Sequence, residues 1–200
     1  MLDISKFPVF ETILVREGKI CSTEFHLERM QNTCMSLWGE FRHKDIFNRL
    51  EIPDKMQQGI IKLNIYYNKY ISEIAFSNYI KKEIKSIENI EIQDSIDYKC
   101  KYTNRKNFEK ILSESGADEV ILIRNGFVTD TTKANIVFEK NGKLFTPDTY
   151  LLNGTMRQFL LKTKRIIEKP IREEEISDYE KMYFINAMNP IETAFVKNIR

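Results

Sequence analysis

Residues 119–145 read EVILIRNGFVTDTTKANIVFEKNGKLF. The apolar centre Ile121-Leu122-Ile123 has the pattern of a buried strand over 119–124, closed by the turn pair Asn125-Gly126. Residues 135–139 and 143–145 form a second hairpin around Asn141-Gly142, a dipeptide that tolerates the left-handed backbone of a tight turn. Between the two lies Thr129-Asp130-Thr131-Thr132, which reads as a Thr-rich turn. Paired strands of this kind predict an α/β (α+β) chain with mixed sheets.

The surrounding segments fit that class. Residues 106–115 are helical and stop at Gly116, residues 156–164 form a helix, and 182–185 and 193–196 are strands. Towards the N-terminus, residues 7–15 read as a strand, and Arg16-Glu17-Gly18-Lys19 turns it back to a short strand at Ile20. Ser22 or Thr23 then caps a helix whose apolar positions are Phe25, Leu27, Met30, Cys34, Met35 and Leu37. An amphipathic stretch over 44–50 ends near Pro53, and residues 60–67 and 70–76 pair through Asn68-Lys69. The Lys-rich stretch 79–88 suits a solvated strand edge or a linker. It divides a small N-terminal domain, residues 1–84, from a larger C-terminal one, residues 85–200. No internal repeat and no glycine-rich nucleotide motif is present.

Composition narrows the function. The chain has 200 residues, 42% hydrophobic and 30% charged, enough for a real core. Its 31 basic and 29 acidic side chains are interspersed and leave a net charge of +2, so no patch for nucleic acid or membrane stands out. No segment reaches the roughly 20 apolar residues of a membrane span. The N-terminus does not read as a signal peptide, and three scattered cysteines suit reduced thiols in a cytoplasm. Two histidines exclude a His-rich metal site, and no metal is expected.

Four segments could carry chemistry. Phe10-Glu11-Thr12-Ile13 is followed by His26-Leu27-Glu28-Arg29-Met30, where Arg29 offers a guanidinium fork for a phosphate or is simply solvated. Tyr98-Lys99-Cys100-Lys101-Tyr102-Thr103-Asn104-Arg105 holds two lysines that would share one strand face; pattern does not choose between them. Asp130 is a local cap or a carboxylate for a pyridine nitrogen. Asn153-Gly154-Thr155-Met156-Arg157-Gln158-Phe159 starts a helix with a ready anion site, or a plain cap.

Taken in order, F-E-T-I, H-L-x-R, K-x-x-N-R, G-x-V-T-(acid)-x-x-x-A-N, T-P, N-G-x-M-R-Q-F and I-N-A-M-x-P resemble the class IV aminotransferase group. Within it the strings are most similar to those of the aminodeoxychorismate lyases. The resemblance runs from Phe10 to about Val196. It implies a type IV, D-amino-acid aminotransferase-like fold of two small domains with a cofactor cleft between them. The implied cofactor is pyridoxal 5′-phosphate.

The resemblance also implies roles. Lys101, four residues before Arg105, is the lysine that bonds the cofactor and the catalytic residue; Lys99 does not match. Arg29, the backbone and hydroxyl of Thr155, and the backbone of Met156 would hold the phosphate, with Ala187 and Met188 beside it. Asp130 stands where the group has Glu, opposite the pyridine nitrogen. The group usually begins with a D-R-G and G-D-G stretch, whereas this chain starts almost on F-E-T-I. The implied reaction converts 4-amino-4-deoxychorismate to 4-aminobenzoate and pyruvate, a step in folate formation. The alternatives are a class IV aminotransferase for branched-chain or D-amino acids, and a non-catalytic relative acting as a binding subunit. A small-molecule substrate and a homodimer are implied, without nucleic acid or membrane. Arg105, Lys133 and Arg157 are candidates for substrate carboxylates by charge alone, each better read as structural.

Overall fold

The computed structural model describes residues 4–199. These fall into two compact units: 4–81 with 100–104, and 82–99 with 105–199.

The first unit is an antiparallel sheet with one long helix. Strand β1 (Val9–Arg16) turns at Gly18 into the two-residue β2 (Lys19–Ile20), and helix α1 (Thr23–Trp38) follows. Strands β3 (Ile60–Tyr67) and β4 (Ser72–Asn78) complete the order β2-β1-β3-β4. Pairing of β1 with β3 runs without a slip from Val9↔Tyr67 to Arg16↔Ile60. Side chains alternate across a sheet, and Val9, Ile13, Val15, Ile61, Leu63, Ile65 and Tyr67 form the buried face with Met30 and Cys34 of α1. Gly39 ends α1 in the left-handed region at φ 72°, its N–H donating to the Met35 carbonyl. The amphipathic stretch 44–50 yields only a single 3-10 turn, Phe47–Arg49. It is too short to nucleate a helix, and Pro53 follows at once.

Residues 100–104 return to this unit. Phe10 N–H donates to the Lys101 carbonyl at 3.0 Å, and Tyr102 bridges Val9. The Thr103 N–H and hydroxyl donate to the carbonyls of Pro8 and Phe7 at 2.9 and 2.6 Å.

The second unit holds β5 (Ile87–Glu91), α2 (Lys106–Ser115), β6 (Glu119–Arg124), β7 (Phe127–Thr131), β8 (Asn135–Lys140), β9 (Lys143–Pro147), α3 (Thr155–Lys162), β10 (Ile167–Lys169), β11 (Lys181–Ile185) and β12 (Phe195–Asn198). The sheet runs β10-β9-β8-β7-β6-β5, and β11 joins it by pairing with β8 and β12. It is mixed, with β5–β6 and β9–β10 parallel and the remaining pairs antiparallel. Ile121, Ile123, Val128, Ile136 and Phe138 pack one core with Met182 and Phe184. The turns at Asn125-Gly126 and Asn141-Gly142 take positive φ at both residues, as hairpin dipeptides do. Asp130 lies inside β7, not in a turn; the turn begins after it, where Thr131 Oγ1 accepts from the Lys133 and Ala134 N–H groups. No helix among the described residues is long and apolar enough to cross a membrane.

Candidate active site

Each unit gathers its own set of the residues singled out in the sequence. In the first unit the organising residue is Glu11, which sequence reasoning passed over. It sits in β1 on the face of Val9, Ile13 and Val15, and it is fully buried. The buried face of α1 runs Phe25, His26, Arg29, Met30, Thr33, Cys34, the helical spacing of an inward stripe. His26 and Arg29 are three residues apart on that stripe and both close on Glu11. Arg29 Nε donates to Oε1 at 2.9 Å and Arg29 Nη2 donates to Oε2. His26 Nδ1 donates to Oε2 at 2.6 Å, while its buried Nε2 has no hydrogen-bond partner among the described residues. Burial pushes the Glu11 carboxyl up, but the Arg29 charge and the His26 hydrogen bond overrule it and hold the group at about 2. Burial pushes His26 down despite its bond to Glu11, and the Arg29 and Lys101 charges add to that. His26 is therefore a neutral imidazole at pH 7.

Lys101 joins this set. Its carbonyl is tied to Phe10, and its Nζ lies 4.6 Å from the centre of the Phe10 ring, which stacks on Tyr66. The side chain is half-buried. Lys99 differs: it is exposed, pairs with Asp97 at 3.6 Å and belongs to the second unit.

In the second unit, strand pairing sets Asp130, Asn135 and Ile185 in one row across β7, β8 and β11. Asn135 Nδ2 donates to Asp130 Oδ1 at 2.6 Å and to the Leu152 carbonyl at 2.8 Å. Asp130 Oδ2 accepts from the Leu151 and Leu152 N–H groups at 2.9 and 3.0 Å. The carboxylate thus folds the loop that leads into α3. Burial pushes Asp130 up to about 6, against these donors and the Arg157 charge. A carboxylate accepts about four hydrogen bonds, so Asp130 retains capacity for one more donor.

Gly154, the N-cap of α3, is pressed against Asn135: a Cβ there would fall 2.0 Å from Asn135 Oδ1. No side chain caps α3, and Thr155 is buried at its first position. Its first-turn N–H groups are the donors an anion would use. After β11, Asn186 Oδ1 accepts from the Met188 and Asn189 N–H groups, both at 3.0 Å, while Asn186 Nδ2 donates to the Lys133 carbonyl. Asn186 therefore shapes the Ala187-Met188 turn, and the Met188 N–H is used within it.

The three basic residues named by charge are accounted for. Arg105 donates to the Tyr98 hydroxyl and the Thr132 carbonyl. Buried Arg157 binds Asn153, the Pro147 carbonyl and Glu168 and stacks on Tyr150. The Lys133 side chain is exposed. The sequence signal for Glu11 was available: an acid in register with Val9, Ile13 and Val15, facing a helix with His and Arg three apart.

An uncharacterized protein of Haemophilus influenzae is 33% identical over 186 residues, covering 92% of this chain and 98% of its own. A structure from Haemophilus somnus, provisionally named 4-amino-4-deoxychorismate lyase, is 30% identical with a TM-score of 0.80, covering 95% of this chain and 99% of that one. A hypothetical aminotransferase from Mycobacterium tuberculosis, solved with PLP bound, shares the fold at 18% identity and a TM-score of 0.75, covering 92% and 79%. The pattern of the amino-transferase class IV family spans residues 8–193, and over that length this chain belongs to the family.

Proposed function

We propose that the chain is a pyridoxal 5′-phosphate-dependent lyase that converts 4-amino-4-deoxychorismate to 4-aminobenzoate and pyruvate. The observation that carries the reading is Lys101: a half-buried lysine anchored through its own backbone to β1, beside a buried Glu11–Arg29 pair. The uncapped start of α3 and the spare capacity of Asp130 suit the cofactor's two ends, an anionic phosphate and a basic ring nitrogen. The 30% identity to a protein provisionally named as this lyase supports the reaction over transamination.

Lys101 would hold the cofactor, with Arg29, Thr155 and Met156 on its phosphate and Ala187 and Met188 beside it. Asp130 would accept a hydrogen bond from the ring nitrogen. When bound, the cofactor supplies an electron sink for the carbon that bears the substrate amine. Lys101 Nζ takes the proton from that carbon and returns one to the departing enolpyruvyl fragment. Asp130, ionised above its pKa of about 6, opposes the positive charge on the ring.

The test is the absorbance band near the visible edge that appears on adding pyridoxal phosphate, followed by pyruvate release from aminodeoxychorismate. Lys101→Ala is expected to abolish both. A wild-type protein with no band refutes the cofactor assignment. A band with glutamate formed from 2-oxoglutarate and an amino acid, but no pyruvate, makes the chain an aminotransferase.

A further inference from the structure

We infer that Glu11 is a positioning residue that aims the Arg29 guanidinium at the cofactor phosphate, with His26 bracing Glu11. This rests on the cofactor reading above. A guanidinium at the end of a long side chain has many orientations, and a phosphate accepts only donors that point at it. The Glu11 carboxylate grips the Nε–Nη2 edge of Arg29 through both of its oxygens. That two-point contact fixes the plane of the guanidinium and its angle within the plane, and so the direction of the remaining N–H groups.

Glu11 is held in turn. Its backbone lies in the β1–β3 ladder opposite Ile65, and His26 Nδ1 donates to Oε2 from the same helix face as Arg29. Strand, helix and guanidinium are locked as one piece. Stability alone does not call for this arrangement. A buried ion pair is replaceable by well-packed apolar residues with little loss, and Glu11 is surrounded by apolar positions on both β1 and β3.

Charge and orientation make opposite predictions. Glu11 already offsets the Arg29 charge, so removing the carboxylate makes the surroundings more positive. Simple attraction would then tighten phosphate binding. If Glu11 acts by aiming Arg29, removing it loosens phosphate binding.

The experiment titrates wild type, Glu11→Gln and Glu11→Asp with pyridoxal phosphate and with pyridoxal, which lacks the phosphate. The readouts are the absorbance change and the ratio of the two affinities, with folding checked by circular dichroism. Expected is a loss of about tenfold or more in the phosphate preference of both variants, with pyridoxal affinity held within about twofold. Glu11→Asp keeps the charge and retracts the carboxylate by one methylene, so it reads position alone and carries the test if Glu11→Gln does not fold. An unchanged or increased phosphate preference in the folded variants overturns the positioning role and leaves the cofactor reading standing. Wild type that takes up neither aldehyde overturns both.

Discussion

Gly154 shows how closely the second unit is fitted around a single atom. Asn135 Oδ1 fills the space a Cβ on Gly154 would take, and Asn135 cannot swing away without releasing Asp130 and the Leu152 carbonyl. Gly154→Ala therefore forces the α3 start outward. It should cost on the order of 1–3 kcal/mol in urea unfolding. Combined with Asn135→Ala, the two costs should fall short of additive, because the second change removes the clash that the first creates. At this scale the sequence was readable where a residue type has few uses. Lys101, Arg29 and Asp130 were picked out by resemblance, but what each touches was not. Asp130 is the clearest case. Its neighbours are threonines, so it read as a turn residue, and only the ladder places it inside a strand holding a distant loop.

Among the elements, the 186–189 turn depends on one carboxamide. Asn186→Ala leaves the Met188 N–H without its acceptor and the Asn189 N–H with only the Asn186 backbone carbonyl, and should cost about 1–3 kcal/mol. Asn186→Asp keeps an acceptor and should recover most of that loss; thermal unfolding of the pair decides it. The Asn-Gly hairpins and the Gly116 helix end were legible because left-handed backbone has a short list of tolerant residues. Strands β5 and β10 escaped sequence reading. Both lie at sheet ends with parallel partners and carry little buried apolar surface, so no alternation announces them. The first helix was found from its apolar spacing, yet its inward stripe includes His26, Arg29 and Thr33. A hydrophobicity count assigns such residues to the solvent side.

For the whole molecule, two of the buried carboxylates, Glu11 and Asp130, give the units opposite responses to acid. Glu11 is held at about 2 against an ordinary 4.5, so its contribution is complete above pH 4.5 and is lost as pH falls towards 2. Asp130 is raised to about 6 from 3.8. The folded chain binds that proton more readily, so its contribution is greatest below 3.8 and is lost as pH rises through 6. Trp38, the only tryptophan, ends α1 and reports the first unit. Denaturation followed by Trp38 fluorescence should show the gap between wild type and Glu11→Gln closing from pH 4.5 to 2. Amide exchange in β6, corrected for intrinsic rate, should slow from pH 6 to 4 in wild type and lose that slope in Asp130→Asn.

The detour of residues 100–104 into the first unit has a consequence for synthesis. When residue 81 leaves the ribosome, Pro8 and Phe10 still lack the hydrogen-bond partners that Thr103 and Lys101 provide. The N-terminal sheet is completed only by chain made about twenty residues later, after the polypeptide has entered the second unit and come back. A gene cut between the units would yield an early fragment with an unfinished edge, and the lysine central to the proposed chemistry would be encoded on the other piece.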